Sequence, residues 1–417
     1  MSYSYTVIIL GKKKKYDGYK AFDYLEAGRD YKEYELCAGA NRVPPYFVPL
    51  SNNEEERYDA LIEKSTVISL HEHPVLWAED MSESIEMKTY GRDFTGYRDL
   101  SSSRLDCVFD HMMDGMTYIT SYAGWKWNDV IHDIGIRLCD LSHQSTIIHG
   151  KTIDDIKESA ENGKVALVIC LESATPIENE VDRIEVLYGL GVRSMGICYS
   201  ESNMLGGGMG ETNKDAGLTN FGYDAVKRMN KVGMLIDVGH TNDKTAIDTI
   251  EASDKPIYDS HSGPGAIAQG HVKGDEVLHI LAENGGLMGV GGAGTGLKTE
   301  ENPVGSIDSF MECVEYCIDL MGIDHVGCGP DTLYGDHPGL YKYWFSRRLG
   351  HYTQSQTQRA TPFNIPAGTK DLGYVKGLEN PNEFINIARW MIKKGYSDTE
   401  ITKIIGGNIL RLLEKVW

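Results

Sequence analysis

Apolar and polar positions follow two alternating patterns along most of the chain. Short apolar runs rich in β-branched residues predict strands, and longer stretches with helical spacing predict helices between them. The predicted strands are Thr66–Leu70, Val165–Leu171, Ser194–Cys198, Met234–Val238, Pro256–Asp259, Leu287–Val290 and His325–Cys328. The predicted helices are Ile153–Ala160, Asp182–Leu190, Gly222–Lys231, Lys244–Ala252, Glu276–Glu283, Ser306–Leu320, Asn382–Lys394 and Asp398–Val416. This alternation indicates βαβ units and a parallel sheet.

These units predict an α/β fold, a (β/α)8 TIM-type barrel. An eighth strand at Met116–Thr120, between the first two predicted strands, would complete the barrel. We assign residues 53–417 to the barrel and residues 1–52 to an N-terminal extension or cap. Residues 74–115 form a polar, aromatic stretch outside the repeat, and residues 333–375 form a long loop after the last strand. Long loops of this kind are more often functional than idle.

Composition narrows the possible partners and the compartment. The formal net charge of −20 repels nucleic acid and anionic membranes, so we expect neither as a partner. No apolar run reaches the roughly 18 residues of a membrane span. The short N-terminal apolar stretch precedes its lysines, which is the wrong order for a signal peptide. The eight cysteines form no CxxC pair, and we expect a cytoplasmic protein with reduced, mostly buried thiols.

Side chains that bind metals follow the carboxyl ends of the predicted strands. The first strand ends in His71 and His73, which are two residues apart and therefore point to one face. Later strands are followed by Glu172, His240, His261 and Asp331. In barrel enzymes this rim holds the active site. Imidazoles with a bridging carboxylate form a good ligand set for two divalent ions.

Each of these residues alone would be weak evidence, because a histidine or glutamate at a strand end is more often structural or solvated. Their joint placement at one rim favours a metal site. The remaining histidines show no such placement and are interpreted as structural or surface residues: His111, His132, His143, His149, His279, His325, His337 and His351.

Five stretches of sequence indicate a family. They are VALVICLES (165–173), GLTNFGYDAVKRMNKVGMLIDVGH (217–240), PIYDSHS (256–262), GCGPD (327–331) and GGNILRLLEKV (406–416). Together they resemble the membrane (renal) dipeptidase family, the M19 metallopeptidases of the amidohydrolase superfamily. The resemblance covers most of residues 65–417, with interruptions, and leaves residues 1–52 and 333–375 as additions.

The resemblance implies a barrel that holds two divalent metal ions, usually zinc, and a homodimer. The implied metal ligands are His71, His73, Glu172, His240 and His261, with Glu172 bridging the two ions. Asp331 matches the aspartate that handles the proton of the bridging water. Two cations lower the pKa of that water, so hydroxide exists near neutral pH and can attack an amide.

Two positions near the metals depart from the family pattern. His73 stands where the family has aspartate, which replaces an anionic ligand with a neutral one and could shift metal preference. Tyr199 stands where the family has a histidine that steadies the transition-state oxyanion. A tyrosine hydroxyl can donate to an oxyanion, but Glu201, Asn203 or loss of this function are alternatives.

A third departure concerns the family arginine that grips the substrate carboxylate. His271 or Lys273 is nearest to its position, and neither has the bidentate fork of arginine. If the loop at residues 333–375 forms a lid, Arg347 and Arg348 could replace the missing anchor.

Three interpretations of function follow from these observations. The first is a metal-dependent hydrolase, a dipeptidase that cleaves the amide bond of a dipeptide or dipeptide-like small molecule. The second keeps the metals but acts on another small amide or a lactone. The third is a non-catalytic metal-binding barrel, against which Asp331 weighs because it has little structural purpose. Neither a phosphate-binding loop nor a GxSxG nucleophile motif supports another class of enzyme.

Overall fold

Strands and helices alternate through the computed structural model, which describes residues 15–89, 92–112, 126–211, 216–268, 270–292, 297–340 and 375–417. The strands are β1 Ile68–Leu76, β2 Phe94–Thr95, β3 Cys107–Met112, β4 Ile147–His149, β5 Val165–Leu171, β6 Val192–Gly196, β7 Leu235–Asp237, β8 Tyr258–Pro264, β9 Val272–Lys273, β10 Leu287–Val290, β11 Val326–Cys328 and β12 Thr332–Tyr334.

The α-helices lie mostly between successive strands. They are α1 Asn52–Lys64, α2 Ser84–Thr89, α3 Tyr97–Ser102, α4 Trp127–Leu141, α5 Ile153–Asn162, α6 Arg183–Gly189, α7 Asn220–Val232, α8 Asp243–Ala252, α9 Asp275–Glu283, α10 Ile307–Met321, α11 Asn386–Lys393, α12 Asp398–Thr402 and α13 Asn408–Val416. Among the described helices, none has both the length and the hydrophobicity needed to cross a bilayer.

The main sheet is parallel and curls back on itself. Its strand order is β11-β10-β8-β7-β6-β5-β3-β1-β12, so its two ends are successive segments of the chain. Between these segments, the Gly329 amide donates to the Val290 carbonyl on β10, and the Asp331 amide donates to the His71 carbonyl on β1. The α/β barrel predicted from the sequence is therefore confirmed.

The predicted strands differ from the observed ones mainly at the start of the barrel. Val165–Leu171 and Leu287–Val290 have the predicted bounds, and the other five predicted strands are present with shifted ends. The predicted strand at Met116–Thr120 lies outside the described residues. The expectation that residues 74–115 stand outside the repeat is wrong, because β3 lies within them and pairs with both β1 and β5.

The barrel interior is filled in layers, as in other parallel barrels. The lower layer is apolar and includes Leu70, Phe109, Val168, Leu235 and Leu287. Helix α13 packs beneath it, with Leu412 and Leu413 in the same cluster. The C-terminal helix thereby covers the amino-terminal end of the barrel and leaves the opposite end for the polar side chains.

Helix α7 illustrates how the local sequence limits an element. The Thr219 hydroxyl accepts a hydrogen bond from the Gly222 amide at its start (2.9 Å). Gly233 ends the helix in a left-handed conformation with φ of 81°, which glycine adopts without steric cost. Val226 and Met229 are buried on one face, so the helix packs on the sheet between β6 and β7.

Residues 15–51 contain little regular structure and pack against the barrel. The Tyr46 amide donates to Glu383 (2.9 Å) and the Val48 amide donates to Asn386 (2.8 Å), both next to or within the start of α11. The Cys37 amide donates to the carbonyl of Trp77 just after β1. The extension therefore runs from the carboxyl end of β1 to α11.

Candidate metal centre

The end of β1 separates metal-binding side chains from a structural one. His71 and His73 are both buried, with ring centroids 5.0 Å apart. Glu72 points away from them and accepts hydrogen bonds from the Ser69 hydroxyl and from the amide and hydroxyl of Thr332. Burial raises the pKa of Glu72 to about 8. The alternation of the strand thus directs the two imidazoles to one side and the carboxyl group to the other.

Glu172, which follows β5, lies at the centre of the histidines. Its Oε1 is 3.0 Å from Nε2 of His240 and 3.5 Å from Nε2 of both His71 and His261. The possible ligand atoms of His71, His73 and Glu172 lie within 4.8 Å of one another. The structure therefore brings together all five residues that the sequence suggested as metal ligands.

Hydrogen bonds on the far side of three rings turn their Nε2 atoms towards this centre. The Ser260 hydroxyl oxygen lies 3.0 Å from Nδ1 of His71 and 2.7 Å from Nδ1 of His261 and can accept from both. Nδ1 of His73 donates to the His111 carbonyl (2.8 Å). Partners of this kind fix the tautomer in which Nε2 carries the lone pair that a metal needs.

The arrangement fits divalent cations. Nε2 of His71 is buried and makes no hydrogen bond among the described residues, and Nε2 of His240 lies 3.1 Å from Nε2 of His261. Burial, and then repulsion from neighbouring imidazoles, holds the pKa of His71 and His261 well below the usual range. Neutral nitrogens that face each other and a carboxylate need a cation between them, and this donor set suits zinc-like ions.

Asp331, which follows β11, is held beside His71 and His73 by an unusual backbone conformation. Its φ is 61°, in the left-handed region that aspartate tolerates better than most residues. Its Oδ1 lies 3.0 Å from Nε2 of His73 and 3.7 Å from Nε2 of His71. A carboxylate in this position can exchange a proton with a water or substrate held by the histidines.

Tyr199 contacts the candidate centre, whereas one of its alternatives is occupied elsewhere. The Tyr199 ring stacks on the His240 ring with centroids 3.9 Å apart. The Asn203 side chain donates to the Ile197 carbonyl (2.8 Å) and accepts from the Leu205 amide (2.8 Å), so it holds its own loop together. Tyr199 is therefore the better placed of the two to reach a substrate.

His271, just before β9, lies against His240 and His261. Its ring stacks on His240 (4.3 Å) and meets His261 edge-on (4.5 Å). Its Nε2–H donates to the Gly239 carbonyl (2.5 Å). Burial lowers the pKa of His271 to about 4, so the ring is neutral. His240, His261 and His271 also form a group with metal-ligand spacing.

Lys273, the other side chain considered for binding the substrate carboxylate, already has hydrogen-bond partners. Lys273 is fully buried, and its ammonium donates to the carbonyl and the hydroxyl of Thr241. Arg347 and Arg348 lie outside the described residues. Within the described rim, neither His271 nor Lys273 offers a positive charge to a substrate carboxylate.

Sequence reasoning did not group His111 with the candidate ligands, although it lies near the carboxyl end of β3 and next to His71. Its ring stacks on His71 with centroids 3.8 Å apart, and with His71 and Asp237 it forms a third group with metal-ligand spacing. The signal that could have found it is the same rule that found the others, a histidine at a strand end. The strand itself was not predicted, so the rule was not applied.

A parallel barrel with neutral imidazoles around a buried carboxylate at its carboxyl-terminal rim has the architecture of a metal-dependent hydrolase. Residues 56–338, more than half of the chain, match the family model described as membrane dipeptidase, peptidase family M19. The chain belongs to this family, and the resemblance noted in the sequence is confirmed.

Individual relatives are similar at modest identity. Dipeptidase tcpJ of Claviceps purpurea is 24% identical over 63% of this chain and 54% of its own length. The crystal structure of an amidohydrolase from Pseudomonas aeruginosa is 24% identical, covers 86% of this chain and 99% of its own, and has a TM-score of 0.68. A metallopeptidase from Rhodobacter sphaeroides liganded with a phosphinate mimic of the dipeptide L-Ala-D-Ala is 18% identical over 85% of this chain and 99% of its own, with a TM-score of 0.63. The chain thus spans about half the length of the Claviceps relative and nearly all of both solved structures.

Proposed function

We propose that the protein is a metal-dependent dipeptidase that hydrolyses the amide bond of a dipeptide or dipeptide-like small molecule. The observation that carries this proposal is the position of Glu172 among the inward-facing nitrogens of three histidines, with Asp331 beside them. Family membership supports it, as does the name of the Claviceps relative, a dipeptidase. The Rhodobacter relative was crystallised with a dipeptide mimic, which agrees with the same substrate class.

Two divalent ions would be held by the five candidate ligands. His71 and His73 would bind one ion, His240 and His261 the other, and Glu172 would be shared. Bound ions would supply a water of lowered pKa and an electrophile for the scissile carbonyl. We propose Zn²⁺, because imidazole and carboxylate are among its usual ligands.

Two further side chains would act on the substrate directly. Asp331 would accept the proton of the attacking water and deliver it to the leaving amine, which its position next to Nε2 of His73 allows. The Tyr199 hydroxyl would donate a hydrogen bond to the oxyanion that develops on the carbonyl. The stacking of the Tyr199 ring on His240, a proposed ligand of the second ion, supports this role.

The carboxyl end of the substrate would lie near His271. A neutral imidazole there would contact the substrate by a hydrogen bond rather than by an ion pair, so we propose that Arg347 and Arg348 supply the charge. The substitutions Arg347→Ala and Arg348→Ala should each raise KM for substrates with a free carboxylate about tenfold, the loss of one good charged contact. Unchanged kinetics in both variants would count against this assignment.

The cysteines bear on the compartment, and the family resemblance bears on the assembly. No disulfide joins any of the eight cysteines, all of which lie in the described part of the chain. This agrees with the reducing cytoplasm, which we propose as the location. We also propose a homodimer on the basis of the family resemblance, and sedimentation velocity would measure it directly.

The deciding experiment measures bound metal and then hydrolysis. Protein purified without added metal or chelator should hold about two divalent ions per chain and hydrolyse members of a dipeptide panel that includes a D-residue at the carboxyl end. About one ion per chain would indicate that His73 in place of aspartate weakens one position. No bound metal, without recovery by zinc, manganese or iron, would rule the proposal out.

A second candidate function keeps the centre and changes the substrate. It is favoured by two observations in the described rim: burial lowers the pKa of His271 to about 4, and the Lys273 ammonium is bonded to Thr241. A lactone, a cyclic amide or a dipeptide amide would need no anchor for a carboxylate. The same panel extended with these compounds separates the candidates, because a dipeptidase should prefer the free acid over its amide.

A further inference from the structure

We propose that His111 and Asp237 form a positioning pair that sets the geometry of both metal positions from below. The proposal rests on the proposed metal-dependent function, because it concerns how the ligands are held. His111 is the penultimate residue of β3 and Asp237 is the last residue of β7, and both side chains are buried. Nε2 of His111 lies 3.7 Å from Oδ2 of Asp237.

Asp237 holds the strand ends that carry the second pair of histidines. Its Oδ1 accepts hydrogen bonds from the amide of Gly239 (2.9 Å) and from the amide of Ser260 (2.9 Å). Gly239 immediately precedes His240, and Ser260 immediately precedes His261. A single carboxylate oxygen therefore joins β7 to β8 at the residues that set the separation of the two ligands.

His111 holds the first pair of histidines. Its ring lies flat against His71, with an interplanar angle of 14°, and its carbonyl accepts the Nδ1–H of His73 (2.8 Å). Nδ1 of His111 lies 3.2 Å from the Phe109 carbonyl of its own strand. Its Nε2 faces Asp237 and the Tyr258 hydroxyl (3.2 Å).

The contact between the two residues thus connects the first metal position with the second. The Tyr258 hydroxyl, which also lies 2.7 Å from the Ser194 hydroxyl, ties the pair to β6. A merely structural pair would contribute to the free energy of unfolding and leave metal binding unchanged. A positioning pair changes ligand geometry, and partners behind metal ligands typically alter metal affinity about 10- to 100-fold.

The test uses two substitutions that preserve the packing. His111→Phe keeps a ring against His71 and the carbonyl that orients His73, but it removes Nε2. Asp237→Asn keeps an oxygen for both amides and removes the charge that faces His111. His325→Phe is the matched control. His325 immediately precedes β11, at the opposite end of the barrel from the candidate centre, and its ring donates to the Gly286 carbonyl.

Zn²⁺ and Co²⁺ affinities are measured on the full chain by chelator competition, and the visible spectrum of the Co²⁺ form reports ligand geometry. Each variant should bind at least one ion about 10- to 100-fold more weakly and show an altered Co²⁺ spectrum. The double variant should lose no more metal affinity than the single variant with the larger loss, since both substitutions disrupt the same contact. The control should match the wild type.

Three outcomes would overturn the pair. The first is a wild-type Co²⁺ spectrum and wild-type affinities in the variants, whatever their melting temperatures. The second is a double variant whose loss equals the sum of the single losses, because the residues would then act separately. The third is a wild-type chain that binds neither ion, which would overturn the proposed function as well. If His111→Phe fails to fold, the isosteric Asp237→Asn decides on the same criteria.

Discussion

The backbone conformation of Asp331 orients its side chain for the proposed proton transfer. A left-handed conformation costs a non-glycine residue roughly 1–2 kcal/mol, and such outliers cluster at functional sites. Here the conformation is maintained by the bond from the Asp331 amide to the His71 carbonyl. In this conformation the carboxylate faces Nε2 of His73.

The substitution Asp331→Asn should separate proton transfer from metal binding. The amide has the shape of the carboxylate but cannot accept a proton, so kcat should fall about 10²- to 10⁴-fold while the metal content stays unchanged. Asp324→Asn is the control, because Asp324 lies on the surface just before the other end of β11 and pairs with Lys403. An Asp331→Asn enzyme with the wild-type kcat would exclude the assigned role.

The substitution Tyr199→Phe distinguishes a hydroxyl that acts on the substrate from a ring that only packs. Phenylalanine preserves the stacking on His240, so metal content and KM should stay near wild type. Loss of an oxyanion donor should lower kcat about 10²- to 10³-fold. Tyr223→Phe, on the exposed face of α7, should be neutral. An unchanged kcat in Tyr199→Phe would leave the tyrosine with a packing role alone.

At the scale of elements, continuous apolar runs such as that of β5 could be predicted because both faces of a parallel sheet are covered. The strand β3 could not, because its sequence CVFDHM places Asp110 and His111 at positions that look solvated. Both are buried, and each has a partner that is distant in the sequence. Long-range pairing hides a strand from any pattern that only neighbouring residues define.

The ion pair between Asp110 on β3 and Arg137 on α4 accounts for one of these hidden positions. Removing one partner of a buried pair leaves an uncompensated charge, so Arg137→Met should lower the free energy of unfolding by about 3–5 kcal/mol. The double variant Arg137→Met with Asp110→Leu should recover most of that loss. Urea unfolding measures both. A loss below about 1 kcal/mol in the single variant, as for an exposed pair, would show that the helix and strand are held together in another way.

The residues of the candidate centre also fall into two groups: those that the local sequence pattern predicts and those that depend on long-range pairing. His71 and His73 could be predicted together because strand alternation relates them, and Glu172, His240 and His261 because each follows a recognisable strand. The pairing of His111 with Asp237 and the stacking of His271 on His240 depend on which strands are neighbours around the barrel. Strand order is a property of the closed sheet, so it cannot be predicted from the separate sequence segments.

At the scale of the whole molecule, several buried histidines couple folding to pH. Burial, as the largest effect, lowers the pKa of His71, His240 and His261 well below the usual range and that of His149 and His271 to about 4. Unfolded histidine titrates near about 6.5, so the unfolded chain binds more protons than the folded chain between these values. Three buried carboxyl groups act in the opposite direction, because burial raises the pKa of Glu72 to about 8 and that of Asp259 to about 7, and also raises the pKa of Glu383.

The histidines outnumber these carboxyl groups, so the metal-free protein should lose stability as the pH falls from about 6.5 to about 4. His149 isolates the effect, because it lies on β4 away from the centre and bonds the Gly191 carbonyl (3.1 Å). Its stabilising contribution is present above pH 6.5 and is lost as the pH falls towards 4. His149→Gln should therefore flatten the dependence of the free energy of unfolding on pH by up to about 1.4 kcal/mol per pH unit in this window, and should leave the dependence unchanged above pH 7.5. Urea unfolding of the chelated protein at several pH values measures the slope, and equal slopes in the variant and the wild type would show that His149 titrates alike in the folded and unfolded chains.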